Sequence, residues 1–432
     1  MPSFSLAIAV LGGILLIGLP VAFGLGGTAL ILAAFQDAIS LNFLNITILE
    51  AFNSFTLLAI PLFVLMSQVL LTGKVGDSIF DAINSWVGHL PGGLAVATVF
   101  SCAIFASITG SGAATVATIG MVAYPAMFKR GYDKKFTCGL LATGGVLGIL
   151  IPPSIPMILY SSITDCSLDK LFMAGIIPGI LLTFLLAGYA VFRSLRGEYT
   201  PVPKAGWPER WRLTRHNLPA MTLPVVVIGG IYSGVFTPTE AAAVGLVYSL
   251  LLTSFVYKTL RWKHMPAICL DSLTTSCMIG MIIMGAHLFG KVLTLMQIPQ
   301  ELTRMVVENN LSPMLFILAI NVLLLVLGAL LETVSCILLT TPLILPIMQS
   351  LAIDPIWYGV VLTVNMTIAL ITPPVGMDLY VIKSLRDDIS FNDVIEGVAP
   401  FIALLLLFLV IIILFPGIST FLPSLMPARG SV

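Results

Sequence analysis

Residues 143–153 read TGGVLGILIPP, and residues 365–376 read NMTIALITPPVG. Each is an apolar run with small or hydroxylated residues that stops at tandem prolines. Two successive prolines remove two amide donors and clash with the preceding turn, so the carbonyls just before them lose their helical partners. At membrane depth such a break survives only when it is buried in protein or lines a watery cavity. The pairs Pro152-Pro153 and Pro373-Pro374 stand 221 residues apart, and so do Pro125 in YPAM and Pro346 in LPIM. A one-residue shift aligns Gly175-Ile176-Ile177-Pro178 with Gly397-Val398-Ala399-Pro400, and a slightly shorter offset aligns Gly12-Gly13 with Gly229-Gly230. The repeat spans essentially the whole chain.

The flanking sequence is that of a membrane protein. Hydrophobic residues make up 58% of the 432 and charged residues 9%, where a soluble domain carries roughly a quarter charged. Uncharged apolar runs of about 18 residues or more recur, as at 175–192, 313–331 and 398–415. Membrane segments are expected at 5–18, 21–35, 49–72, 135–165, 168–194, 217–234, 237–258, 266–294, 356–386 and 391–418. The stretches 94–128 and 313–350 are too long for one span and carry a polar centre between short apolar arms, the pattern of a re-entrant hairpin. Each half then makes five crossings plus a hairpin that makes none, and an odd number inverts the second unit relative to the first.

The expected fold class is therefore an all-α polytopic membrane protein: two inverted repeats, about ten transmembrane helices, two re-entrant helical hairpins and interrupted helices. The first repeat covers 1–195, with scaffold 1–72, an interfacial helix at 74–90, and a hairpin and broken helix at 94–165. A linker follows at 196–216. The second repeat covers 217–420, with scaffold 217–294, an interfacial helix at 298–310, and a hairpin and broken helix at 313–386. The two interfacial segments carry charges at helical spacing, Lys74, Asp77 and Asp81 in one and Glu301, Arg304 and Glu308 in the other. Arg304 and Glu308, four apart, read as a solvated pair.

Basic residues orient this scheme. Lys129, Arg130, Lys134 and Lys135, then Arg193, Arg196, Lys204, Arg210, Arg212 and Arg215, then Lys258, Arg261 and Lys263 all fall on one side of it. The opposite loops, around Asp37, Asp165 and Glu240, are poor in basic residues. The positive-inside rule puts the clusters and the linker in the cytoplasm and both termini outside. Residues 1–34 lack a basic n-region and stay apolar beyond signal-peptide length, so the first segment is expected to remain in the mature protein. Zero net charge offers no case for a nucleic-acid partner. The six cysteines are scattered, with no CxxC pair, and read as small apolar residues.

The polar residues concentrate at the hairpin centres. In the first, Ser107-Ile108-Thr109-Gly110-Ser111-Gly112 is followed by Thr115 and Thr118; in the second, residues 328–335 read GALLETVS, followed by Thr340 and Thr341. Set against the broken helices, freed carbonyl oxygens suit a small hard cation and opposed helix N-termini suit an anion. The expected result is one cation site per half, built largely from backbone, with a solute cavity between them. Close helix packing is the bland use of such residues, and a proline pair can be a simple kink; equal spacing in both halves favours the site. Glu332 is the sharpest case, since an acid in mid-membrane is costly and usually functional. Its plain alternative is a solvated carboxylate at the hairpin mouth. Asp378 and Lys383 follow the second proline pair within reach of cytoplasmic water, and His287 and Lys291 lie on an apolar helix without an assigned role. No histidine stands near a plausible serine nucleophile, and neither GxSxG nor HExxH occurs, which argues against an intramembrane enzyme.

The motifs LLAIPLFVL (57–65), HLPGGL (89–94), IPPSIP (151–156), LFMAG (171–175), FTPTEA (236–241) and ITPPVG (371–376) run in order over nearly the full length. On them the chain resembles the large membrane subunit of tripartite ATP-independent periplasmic (TRAP) transporters, the DctM-like permeases. The resemblance implies a sodium-driven importer of an organic acid (a C4-dicarboxylate, sialic acid or similar carboxylate or sulfonate) in the bacterial inner membrane. It implies two protein partners: a small four-helix membrane subunit (DctQ-like) and a periplasmic substrate-binding protein (DctP-like). It also implies an elevator mechanism, with no cofactor beyond Na+ as coupling ion. Sodium would bind at Ser107, Thr109, Gly110 and Ser111 with Gly144, Leu147 and Ile149, and at Gly328, Glu332 and Thr333 with Asn365, Ile368 and Thr372. The solute is expected to touch Ser111, Thr115, Ser154, Gly376 and Asp378. A stand-alone sodium/carboxylate symporter of the divalent-anion group is the competing reading, which needs no partner subunits; the motifs argue against it.

Overall fold

A computed structural model describes residues 2–35, 41–197 and 199–426, so Asp37 lies outside the described residues. These residues form twenty α-helices and no strand. The first five are α1 Pro2–Leu16, α2 Val21–Ala34, α3 Leu41–Phe52, α4 Ala59–Thr72 and α5 Val75–Val87. Next come the arms α6 Gly93–Thr109 and α7 Gly112–Phe128, then α8 Lys134–Leu150, α9 Ile155–Thr164 and α10 Leu168–Ser194. The second half opens with α11 Trp207–Tyr232, α12 Pro238–Leu251, α13 Met265–Leu295 and α14 Ile298–Glu308. It continues with α15 Pro313–Gly328, α16 Thr333–Ser350, α17 Pro355–Leu370, α18 Met377–Ser384, α19 Phe391–Leu414 and α20 Gly417–Ser424.

By length and composition six described helical stretches can cross a membrane, and seven if the pair Asn45–Phe52 and Thr56–Thr72, bent by 62°, is one span. That bend divides the segment expected at 49–72. The linker expected at 196–216 is helical from Trp207, because Pro208 stands in the first turn, where its missing N–H costs nothing, and Glu209 complements the helix dipole. Arg304 and Glu308 pair at 3.3 Å on exposed side chains, as their spacing predicts.

The corresponding elements keep the repeat spacing: α7 and α16 begin 221 residues apart, as do α8 and α17. Asp133 and Asp354 both cap these broken helices, accepting from the amide three residues on in one (Phe136, 3.0 Å) and two residues on in the other (Ile356, 2.8 Å). Every residue of α8 from Phe136 and of α17 from Trp357 is buried. The two broken helices pack on each other at the centre of the molecule. Large apolar side chains elsewhere stay exposed, among them Leu16, Phe23, Leu49, Trp262, Leu270, Val322 and Leu407, a surface suited to lipid rather than water.

On one face basic residues find carboxylate or carbonyl partners. Lys134 pairs with Asp393 at 3.0 Å, Lys135 with Glu396, and Arg130 Nη1 donates to the Pro201 carbonyl at 3.2 Å. In the α18–α19 loop, Arg386 lies 2.9 Å from Asp388 and holds that carboxyl below the usual range.

Candidate functional site

Hairpin one turns on two residues. Gly110 takes a left-handed conformation (φ +62°), and Ser111 caps α7, accepting from the Ala114 amide at 3.4 Å. A β-carbon on Gly110 would stand 2.4 Å from the Pro153 carbonyl oxygen, so the tip rests directly on the tandem prolines. The glycines of α8 make this approach possible. A β-carbon on Gly148 would meet the Ser111 carbonyl at 2.7 Å and the Gly112 nitrogen at 3.0 Å; one on Gly144 would meet Cys102 Sγ at 2.8 Å. The peptide bond within each proline pair is cis.

Several of the residues expected in the first site already take part in hydrogen bonds. Ser107 Oγ donates to Ile104 O at 2.7 Å and Thr109 Oγ1 to Phe105 O at 3.1 Å, each bonding back along its own helix. Thr115 Oγ1 donates to Ser111 O at 2.8 Å and lies 3.3 Å from Thr109 Oγ1. The Leu147 carbonyl accepts from Ile151 N at 2.9 Å, and that of Ile149 accepts from Ser154 Oγ. The Gly148 carbonyl loses its helical donor to Pro152, as that of Ile149 does to Pro153.

Hairpin two approaches its broken helix in the same manner. A β-carbon on Gly328 would lie 2.6 Å from Ala369 Cβ, and Val375 N donates to Ala329 O at 3.3 Å. Glu332 occupies the N-cap of α16, half-buried, without capping it through its side chain, and Thr333 beside it is buried. The Ile368 carbonyl accepts from Thr372 Oγ1 at 2.7 Å. At Gly376 (φ +49°) the oxygens of Thr372 and Leu370 converge, 3.0 and 3.1 Å from where a β-carbon would stand. Asn365 is fully buried; its Nδ2 donates to Asn321 Oδ1 at 2.7 Å and to the Asn321 carbonyl at 2.9 Å, and its Oδ1 is buried without a partner. Asn321 was not expected, being a single polar residue in the apolar arm α15.

Asp378 corrects one expectation. It does not reach water: it is 1% exposed, on α18, packed against α7 and α8 of the other half. There its Oδ2 lies 3.0 Å from a β-carbon built on Gly112. Of the residues expected to touch solute, Ser111, Thr115 and Asp378 thus meet at one tip, Ser154 closes the first helix break, and Gly376 belongs to the second. His287 and Lys291 acquire a place as well. They line a cavity of about 440 Å³ with Ser162, Asp165 and Glu50, between α3 and α13 on one side and α9 and α16 on the other. Lys291 pairs with Glu50 there at 3.4 Å. Nothing in the apolar sequence around these two residues points to that cavity.

A family model described as the DctM component of the tripartite ATP-independent periplasmic transporter matches residues 8–418. The chain is 41% identical over 401 residues, 93% of each chain, to the C4-dicarboxylate TRAP transporter large permease protein DctM of Pseudomonas aeruginosa. It is 34% identical over 418 residues, 97% of this chain and 98% of the other, to the sialic acid TRAP transporter large permease protein SiaM of Vibrio cholerae. Among solved structures, the YdaH transporter of Alcanivorax borkumensis matches with a TM-score of 0.55 at 16% identity, over 92% of this chain and 97% of that one, a likeness of fold alone.

Proposed function

From the premise that this chain belongs to the DctM family, the large permease subunits of TRAP transporters, we propose that it imports an organic acid across the bacterial inner membrane by sodium-coupled elevator transport. The partners are a DctQ-like small membrane subunit and a DctP-like periplasmic binding protein that delivers the solute. The observation that carries this reading is the docking of each hairpin tip onto the helix break of its own half: Gly110 on Pro153, and Ala329 on Val375. Proline-freed carbonyls beside a buried, glycine-lined turn can hold a dehydrated cation, and the adjacent amides of a helix start can hold an acid.

In this reading the first cation site comprises Ser107, Thr109, Gly110, Ser111, Gly144, Leu147 and Ile149, joined by Gly148. The second comprises Gly328, Glu332, Thr333, Asn365, Ile368 and Thr372. The solute lies at Ser111, Thr115, Ser154, Gly376 and Asp378. The two halves are inverted repeats with α5 and α14 along opposite membrane faces, and the hairpins and broken helices slide as one body against the scaffold. The cavity at Glu50 and Lys291, which separates scaffold elements from transport elements, supports that division.

The test is uptake into vesicles holding the permease and its small subunit, with the binding protein added outside. A labelled organic acid is expected to accumulate only under an inward sodium gradient, and accumulation driven equally well by potassium would remove the cation sites. Orientation has its own test. Thr200 is exposed, and its N–H donates to the Arg130 carbonyl at 2.9 Å beside the basic clusters. The variant Thr200→Cys is expected to react with an impermeant maleimide from the cytoplasmic side only; labelling of intact cells from outside would reverse the topology and put both termini in the cytoplasm.

A further inference from the structure

Asp378 is the second residue of α18, and its Oδ2 is buried with no hydrogen-bond partner. None of the ion pairs among the described residues involves it. A carboxylate held away from water with neither cation nor donor is strongly unfavourable, so its ionised form calls for a positively charged partner. Opposite lies the first turn of α7, where a β-carbon on Gly112 would come 3.0 Å from that oxygen. Gly112 and Ala113 are the first two helical residues, and their amides have no carbonyl to meet within the helix. Ser111 Oγ takes only the Ala114 amide. One recess therefore presents a helix's positive end with bare donors and, a few ångströms away, a buried carboxyl group that a cation would hold in its ionised form.

We infer that the transported solute is zwitterionic, with a carboxylate or sulfonate directed at the N-terminus of α7 and a nitrogen cation, ammonium or amidinium, paired with Asp378. This rests on the reading of the 107–115 turn as the solute site. The two charges of such a solute match the two ends of the recess. A nitrogen-free dicarboxylate would set its second carboxylate against Asp378, a like-charge contact away from water. A coupling metal ion is the competing occupant. The positive end of α7 opposes a compact cation beside Asp378, whereas a solute that brings its own acid group turns that end to advantage. The oxygens proposed to hold sodium belong to the hairpin tips and helix breaks, and Asp378 is not among them.

The experiment is thermal unfolding of the purified permease with its small subunit, titrated with sodium and then, at saturating sodium, with ectoine, glycine betaine, succinate or isethionate. At least one of the two zwitterions is expected to raise the melting temperature at concentrations at least about tenfold below those needed for succinate or isethionate. In Asp378→Asn that response weakens by more than about tenfold while the sodium response is unchanged. Asp378→Glu, which keeps the charge, retains the preference for zwitterions if it folds, and the sodium response reports folding in both variants. A response to succinate or isethionate equal to that of the zwitterions overturns the inference and leaves the proposed function standing. So does an Asp378→Asn protein that loses its sodium response and keeps its solute preference. A sodium response with no response to any of the four solutes also overturns the inference. A wild-type protein indifferent to sodium counts against the proposed function itself.

Discussion

Alanine at Gly148 or at Gly328 is expected to reduce uptake by at least about 100-fold, the scale on which a displacement of about 1 Å disables a positioned site, while the protein still reaches the membrane. At Gly148 the added carbon would stand 2.7 Å from both the carbon and the oxygen of the Ser111 carbonyl. These are main-chain atoms at a helix cap, and no rotamer change can move them aside. At Gly328 the obstacle is Ala369 Cβ at 2.6 Å, equally fixed. Overpacking of this kind costs about 1–3 kcal/mol, too little to unfold a large helical protein, so the strain is relieved by lifting the hairpin tip off its break. Gly12, Gly188 and Gly229 supply the contrast: beyond the adjoining backbone of its own helix, a β-carbon added at any of them meets nothing within 4 Å. Alanine there should leave uptake unchanged, and on helical backbone it should stabilise slightly. Uptake and membrane abundance measured together decide the matter. Normal transport by both Gly148→Ala and Gly328→Ala would mean that the tips do not govern function.

The hairpins and breaks were legible because their signals are local. Proline removes a donor wherever it stands, glycine marks a turn or a close approach, and the equal spacing of both features in two halves multiplies their weight. The hairpins expected at 94–128 and 313–350 are each a pair of helices broken at the expected centre. The bend after Phe52 was not legible, since residues 52–55 read FNSF, with neither proline nor glycine. The start of α11 was hidden by composition: tryptophan, proline and arginine look like a loop until Pro208 is placed in a first turn. The site was harder still, because its decisive contacts join residues far apart in sequence. Asp378 and Gly112 come from different halves, and no periodicity relates them. Asn321 is one amide in a wholly apolar arm, and only its position across from Asn365 gives it meaning. The hydroxyls of Ser107 and Thr109 donate back to their own helix, the ordinary course for serine and threonine buried in helices, which leaves their oxygen lone pairs open to a cation.

At Asn365 the second large effect is expected, in the cation dependence of transport. Its Nδ2 is satisfied twice by Asn321, whose own Nδ2 donates to the Ile317 carbonyl at 2.8 Å. Those bonds fix both amides and leave Asn365 Oδ1 buried with no donor. A buried acceptor in that state costs about 1–3 kcal/mol, a penalty that disappears if a cation meets the oxygen. In the other half the residue at the repeat spacing is Gly144, which makes the same crossing with bare backbone against Cys102. The amide pair is therefore not required for packing at such a crossing. Removing the oxygen in Asn365→Ala is expected to raise the sodium concentration for half-maximal uptake by more than about tenfold. Removing its support in Asn321→Ala should weaken sodium by about 10–100-fold, the usual effect of losing an outer partner that orients a ligand. The double variant should be little worse than Asn365→Ala alone, because both changes disable one oxygen. Asn365→Asp keeps an oxygen in place and should retain sodium dependence. If the pair is only structural, both alanine variants lower the melting temperature with the half-saturating sodium concentration unmoved, and the second cation site then has to be built without Asn365.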